Sequence, residues 1–261
     1  MDSTHPYLAG DVPRAFAHRG WHLDELDGME NSLSSFRRAA AEGFQYIETD
    51  VHATSDGVIV VHHDDSLDRT TDSHGAIAAQ PWSAVKNAKV GGREPVARLE
   101  DVLEELPEVR LNVDVKSDDA VVPFVKLIER HGAHERVAAA AFSDTRLARI
   151  RKLAGPKLLT SMGPRSVAVL WANGWVPWLR LGFLHRGAMA QVPVRQGGLL
   201  VVDRSFVRTA GRAGVEVHTW TIDDEDEMHH LLELGVHGIV SDRPDLLRKV
   251  LRERGQWDGR G

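Results

Sequence analysis

Two stretches of this chain bring carboxylates and bases to one face of a strand. In Tyr46-Ile47-Glu48-Thr49-Asp50-Val51-His52 the two-residue repeat of a β-strand sets Glu48, Asp50 and His52 on one side and Ile47 and Val51 on the other. Leu111-Asn112-Val113-Asp114-Val115-Lys116 repeats the pattern, with Asn112, Asp114 and Lys116 together. Carboxylates turned toward an interior are costly unless something compensates their charge. A hard divalent cation such as Mg²⁺ or Ca²⁺ prefers oxygen ligands and would compensate Glu48, Asp50 and Asp114 together. Lys116 would then offer a phosphate its counter-charge. The alternative is a set of salt bridges at the mouth, with Lys116 paired to Asp114.

Histidines lie nearby in sequence. His18-Arg19-Gly20 follows the apolar Ala15-Phe16-Ala17, and His62-His63-Asp64 follows the apolar run Val58-Ile59-Val60-Val61 after an Asp56-Gly57 turn. Two imidazoles beside a phosphate can serve as general base and general acid, because their ordinary pKa lies near working pH. The chain has 14 histidines, so most need no function. Strand alternation does not let His62 and His63 point the same way.

The elements that would position these residues alternate along the whole chain. Strands are expected at Ala15–Ala17, Tyr46–Val51, Leu111–Val115, Val137–Ala141, Leu158–Ser161, Ala188–Val192, Val215–Trp220 and Gly238–Ser241. Helices are expected at Asn31–Ala41, Leu99–Leu106, Ala120–His131, Asp144–Leu153, Ser205–Ala213, Glu225–Leu234 and Arg243–Arg252. Asn31 stands where an N-cap would, and Gly43 and Gly235 stand as stops. Alternating β and α units predict a parallel sheet. At 261 residues the chain is the size of one TIM-type (β/α)₈ barrel, an α/β fold that typically needs about 250. The expectation is a single domain over 1–261, with a core of about 13–252. Asp56–Gly92 and Trp171–Gly187 fit the repeat less well and are expected as loop insertions; the second holds Trp171, Trp175, Trp178 and Phe183.

A formal net charge of −6 argues against a nucleic-acid partner. With no cysteine, a disulfide framework, a thiolate metal site and a cysteine nucleophile are excluded. No apolar run approaches the ~18 residues of a membrane span, and the first residues lack a secretion signal, so stable membrane insertion is not expected and a cytoplasmic location is.

The ordered motifs resemble the glycerophosphodiester phosphodiesterase family. They are His18-Arg19-Gly20, Glu30-Asn31-Ser32-Leu33, Ile47-Glu48-Thr49-Asp50-Val51, Asp56-Gly57, His63-Asp64 and Leu67-Asp68-Arg69-Thr70-Thr71. The match continues through Leu99-Glu100-Asp101-Val102-Leu103, Asp114-Val115-Lys116, Trp220-Thr221-Ile222-Asp223 and Gly235 to Pro244. The resemblance implies a TIM barrel, one Mg²⁺ or Ca²⁺ held by Glu48, Asp50 and Asp114, and His18 and His63 as the acid–base pair. It further implies phosphate binding by Arg19 and Lys116, loop support from Glu30 and Asn31, and Trp220 as a wall of the glycerol pocket. A barrel-mouth packing residue is the other reading of Trp220. His52 receives no role.

The implied reaction splits a small-molecule glycerophosphodiester into an alcohol and glycerol 3-phosphate. This chain departs from many relatives in having Met29 where they have proline, expected to alter only loop stiffness, and Asp114 where they have glutamate. The Asp-x-Lys strand also resembles sphingomyelinase D-type phospholipases. The competing functions are therefore a lysophospholipase D, whose acyl groove the Trp171–Phe183 segment would provide, a sphingomyelinase D-like phosphodiesterase, and a catalytically silent phosphodiester-binding barrel.

Overall fold

The computed structural model describes residues 5–175 and 186–257. Eight parallel strands, β1 (Arg14–His18), β2 (Tyr46–Ala53), β3 (Arg110–Val115), β4 (Val137–Ala140), β5 (Leu159–Thr160), β6 (Met189–Val192), β7 (Glu216–Thr219) and β8 (Gly238–Ser241), run in the order β5-β4-β3-β2-β1-β8-β7-β6. The open ends of that order meet at Ser161 and Met189. There the Met162 N–H donates to the Met189 carbonyl at 2.7 Å and the Ala188 N–H to the Thr160 carbonyl at 3.1 Å. The sheet thus closes into the expected TIM barrel.

Strand parity sorts the side chains as the sequence requires. Ile47, Val51, Leu111, Val113 and Val115 face outward into one core shared with the surrounding helices, while Phe16, Tyr46, Ala138, Met189 and Val240 pack inside the barrel. The helices around the sheet are α1 (Leu33–Ala41), α2 (Leu99–Glu105), α3 (Val121–His131), α4 (Asp144–Ala154), α5 (Pro164–Trp175), α6 (Arg204–Arg212), α7 (Glu225–Leu234) and α8 (Pro244–Glu253); a further short helix, Trp82–Val85, lies between β2 and α2. Each buries an apolar stripe: α3, for example, turns Val121, Phe124, Val125 and Ile128 to the sheet.

Three expectations need correction. The α1 N-cap is Ser32, not Asn31: the Ser32 hydroxyl accepts from the Ser35 N–H, and Ser35 reciprocates. Asn31 instead adopts φ +57, which frees its amide for the barrel. The segment beginning at Trp171 is not wholly an insertion, because α5 runs through Trp171 to Trp175, with Leu170 buried against the core. Trp178 and Phe183 lie outside the described residues.

Met29 is the third correction. It is buried in a small separate core with Val60, Leu67, Ile77, Val85, Ala88, Val90 and Val96, so it packs rather than merely loosening a loop. That core belongs to the excursion between β2 and α2. The excursion opens as a hairpin at the expected Asp56-Gly57 turn, with Ile59–Val61 antiparallel to β2 and Gly57 at φ +82.

Candidate active site

At the carboxyl ends of the strands, a cavity of about 720 Å³ is lined by His18, Arg19, Glu48, Asp50, His63, Asp114, Lys116 and Trp220. The eight residues proposed from sequence for catalysis, metal and substrate therefore meet at one place. Glu30 and Asn31 stand behind them. The Asn31 amide donates to Asp50 at 3.0 Å and accepts from the Thr49 hydroxyl at 2.7 Å, and Glu30 accepts from Arg19 at 3.0 Å.

The first loop reaches this geometry through backbone that few residues adopt. Arg19 and Asn31 both have left-handed φ, +55 and +57, and the Asn31 N–H donates to the Arg19 carbonyl at 2.9 Å. Between them Gly20 has φ +90, and any Cβ there would fall 2.4 Å from the Ser35 hydroxyl, so only glycine lets the loop close on α1.

The carboxylates are crowded and incompletely neutralised. Lys116 Nζ lies 2.8 Å from both Asp50 and Asp114, so the Lys–Asp pairing foreseen as the alternative is present. Arg19 Nε approaches Asp50 at 3.3 Å. Burial would raise the Asp50 carboxyl, but these two cations outweigh it and hold its pKa low. Glu48 has no such partner. Burial, followed by the charge of Asp50, pushes Glu48 up to about 8. Asp114 is raised too, chiefly by burial. Glu48 Oε2, Asp114 Oδ1 and Asn112 Oδ1 are buried with no hydrogen-bond partner.

Each histidine of the expected pair is anchored by its own carboxylate. His18 Nδ1 meets Asp242 at 2.6 Å, and His63 Nδ1 meets Asp64 at 2.6 Å. If each Nδ1–H donates, each Nε2 is left free, that of His18 standing 3.6 Å from Glu48. Burial alone would lower the His18 pKa; the Glu48 and Asp242 carboxylates override it and raise the imidazole. His62 turns the other way, into the wall, where its ring bonds the Asp64 carbonyl at 3.0 Å and the Thr70 hydroxyl at 2.9 Å. His52 bonds the His63 carbonyl at 3.2 Å and so steadies the strand end that carries His63.

The remaining wall is mostly apolar, with Ser161, Gln191, Gln196 and Thr221 its polar members. Phe142, Met162, Val167, Trp171, Val192, Leu199 and Trp220 line it, with Phe142 and Trp220 in edge-to-face contact at 5.5 Å between ring centres. One half of the cavity can thus hold an anion and the other a hydrocarbon or a sugar-like carbon face.

Comparison with known proteins points the same way. Residues 18–246 match the model of the glycerophosphoryl diester phosphodiesterase family. The chain is 40% identical over 255 residues to a probable glycerophosphodiester phosphodiesterase 2 of Mycobacterium tuberculosis, covering 94% of this chain and 93% of that protein. The chain belongs to the glycerophosphoryl diester phosphodiesterase family. A glycerophosphoryl diester phosphodiesterase structure from Agrobacterium tumefaciens, described as putative, superposes with a TM-score of 0.77 at 25% identity, covering 95% of this chain and 100% of that one. An Oleispira antarctica phosphodiesterase in complex with the product sn-glycerol-3-phosphate shares the fold, with a TM-score of 0.75 at 23% identity over 92% of this chain and 97% of that one.

Within this cavity and directly behind it, sequence reasoning missed three charged groups and an amide. Asp242 and Asp64 anchor the two histidines, Arg69 forks between Asp64 and Glu30, and Gln191 reaches the cavity from β6. Asp64, Arg69 and Asp242 all sat inside motifs already singled out. The signal available for Asp242 was its place one residue beyond β8, which pairs with β1 beneath His18. A second acidic group, Glu100, Glu104 and His131, lies outside the barrel on α2 and α3. Its Glu100 is already paired with Arg98, Arg130 and His131. Among the described residues no helix is long and apolar enough to cross a membrane.

Proposed function

We propose that this phosphodiesterase, acting as a single domain, hydrolyses glycerophosphodiesters to an alcohol and glycerol 3-phosphate, using His18 and His63 as acid and base beside a divalent cation. The observation that carries the reading is the pair of carboxylate-anchored imidazoles in one cavity with three buried carboxylates, Glu48, Asp50 and Asp114.

The donor set fits a hard cation. Two buried carboxylate oxygens, on Glu48 and Asp114, have no hydrogen-bond partner, and burial beside Asp50, which pushes Glu48 up to about 8, makes a negative charge there costly without a further cation. Glu48, Asp50 and Asp114 would hold Mg²⁺ or Ca²⁺, which when bound supplies positive charge to the phosphoryl oxygens. The protein's own groups do the rest. Asp242 and Asp64 fix the ring orientation and tautomer of the two histidines, so that one Nε2 takes the proton of the attacking hydroxyl and the other delivers a proton to the leaving alcohol. The attacking hydroxyl belongs to water, or to the glycerol 2-position, in which case the alcohol leaves as a cyclic phosphate forms and water then opens that ring to glycerol 3-phosphate. Arg19, held by Glu30 and Asp50, presents positive charge in the same cavity. Lys116 balances Asp50 and Asp114 and stands ready for a phosphate. Trp220 offers the glycerol carbons an apolar wall.

The apolar half of the cavity favours a second reading, a lysophospholipase D whose acyl chain runs along Phe142, Trp171 and Leu199. Assay of glycerophosphocholine, glycerophosphoethanolamine, glycerophosphoglycerol and lysophospholipids, before and after chelation and on return of Mg²⁺ or Ca²⁺, tests both. Water-soluble diesters should show the higher kcat/KM and chelation should abolish turnover. Full activity at an analytically metal-free site refutes the cation; a reversed substrate ranking establishes the second reading.

A further inference from the structure

One cation stands behind the cavity described above and grips two of the carboxylates that hold its side chains. Arg69 lies in the excursion, not in the barrel, and its guanidinium forks twice. It donates to both oxygens of Asp64, at 2.7 and 3.0 Å, and to both oxygens of Glu30, at 2.8 and 3.1 Å. Asp64 in turn holds His63, and Glu30 holds Arg19.

We infer that Arg69 is a positioning residue for the proposed hydrolysis, a single planar cation that sets the His63 imidazole and the Arg19 guanidinium relative to one another. The inference rests on the roles proposed for His63 and Arg19. A guanidinium suits the task where an ammonium does not, because its rigid fork meets two carboxylates with fixed angles. The Arg69 hydrogen bonds hold Asp64 well below the usual carboxylate range, so the anchor of His63 stays ionised and accepts Nδ1–H.

The excursion is built to keep this fork in place. Leu67 is buried in the small core, Thr71 donates to the Leu67 carbonyl at 2.7 Å, and Thr70 bonds the wall histidine His62 at 2.9 Å. The same core includes Met29, directly before Glu30. Both carboxylates that Arg69 grips therefore neighbour groups fastened to the excursion. That gives the 54–98 segment a reason to be ordered: it carries a cation that ties together two loops of the barrel mouth.

The test uses the whole chain with Arg69→Ala, Arg69→Lys, Asp64→Asn and the Arg69→Ala/Asp64→Asn double variant. Loss of an orienting partner typically costs about 10–100-fold in activity, and kcat should fall by that order in Arg69→Ala with thermal unfolding little changed. Arg69→Lys should fold and still lose most of the rate, since it cannot fork, and it carries the test if the alanine variant does not fold. The double variant should be no worse than the poorer single one. The Arg69 side chain is 48% exposed, so added methylguanidinium can reach its place and should restore kcat in Arg69→Ala but not in His63→Ala. Multiplying losses in the double variant, a rate within about twofold of wild type, or failure of rescue would each overturn the inference. The ¹⁵N shifts of the His63 ring, which report its tautomer, should lose their fixed Nδ1–H pattern in Arg69→Ala. That readout needs no substrate, so a wild-type protein inert toward glycerophosphodiesters would overturn the functional reading while the ring shifts still judge Arg69.

Discussion

The two ends of this barrel solve the burial of charge in opposite ways. At the floor, Arg14 is sealed beneath the strands with nearly every donor used: it bonds both oxygens of Glu216 at 2.8 Å, the Tyr46 hydroxyl at 2.9 Å and the Leu8 carbonyl at 2.6 Å. His218 adds a further bond to Glu216 at 3.0 Å, and the Tyr46 hydroxyl passes its proton bond to the Tyr7 carbonyl at 2.8 Å. Unpartnered floor atoms, Tyr7 Oη and His218 Nδ1, belong to neutral groups. At the mouth the unpartnered atoms include carboxylate oxygens, and three acids crowd two bases. A floor that is balanced contributes stability, whereas a mouth left out of balance can only be justified by what it binds.

If that contrast is right, mouth variants should lose rate and floor variants should lose stability. The largest effect is expected from His63→Ala and His18→Ala, which should lower kcat by about 10²–10⁴-fold with folding intact, the usual cost of removing a general acid or base. His62 is the internal control. It is one residue away, yet its ring is spent on the Asp64 carbonyl and Thr70. His62→Ala should retain most of the rate while losing about 1–3 kcal/mol of stability through the groups left unpaired in the wall. Steady-state kinetics beside thermal unfolding of the three variants checks the split; a dead His62 variant with an active His63 variant would break it.

The floor supplies the next two tests. Arg14→Ala leaves Glu216 buried without its counter-charge, which should cost about 3–5 kcal/mol, read by denaturant unfolding, with kcat of the folded fraction unchanged. Burial alone would raise the Glu216 carboxyl, but its bonds from Arg14 and His218 hold the pKa at about 2. A carboxyl depressed on folding contributes stability that is full above its unfolded pKa near 4.3 and vanishes as pH falls through the folded value. Unfolding free energy should therefore drop by about 3 kcal/mol between pH 5 and pH 2 on account of this group, and the Glu216→Gln variant should lack that portion of the acid slope. An unaltered slope would mean that Glu216 is not the acid-labile brace of the floor.

Much of the mouth was legible because a strand writes its faces into the sequence. Glu48, Asp50, Asp114 and Lys116 came from parity alone, and parity also separated His62 from His63. The partners of these residues were not legible, because barrel closure sets them. Asp242 reaches His18 across 224 residues only since β8 pairs with β1. Arg69 reaches Glu30 only since the excursion has a core of its own, in which Met29 is a member. Helix α5 is hard to read from sequence because apolar residues fall on two of its sides, with Leu170 buried in the core and Pro164, Val167, Ala168 and Trp171 lining the cavity. Asn31 resembles a cap for a related reason: a polar residue before a helix looks the same in sequence whether its amide serves the helix or the barrel.

The smallest effect concerns the apolar wall, where the mouth borders neither charge nor core. Phe142 is 65% exposed, the most of any large apolar side chain among the described residues, yet its ring packs on Trp220 on one side and its centre stands 5.8 Å from Lys116 Nζ. A cation over an aromatic face at an exposed site is worth about 0.5–1 kcal/mol, so Phe142→Ala should loosen Lys116 only modestly and change kcat toward glycerophosphocholine by no more than about twofold to fivefold. Stability should barely move, since little of the ring is buried. The informative quantity is the ratio of substrates. If the apolar wall receives an acyl chain, Phe142→Ala should raise KM for a lysophospholipid while leaving KM for glycerophosphocholine alone, because only the former loses contact with the ring. If the wall receives the glycerol carbons, both KM values should rise together, as the shared half of the two substrates would be the half that touches Phe142 and Trp220.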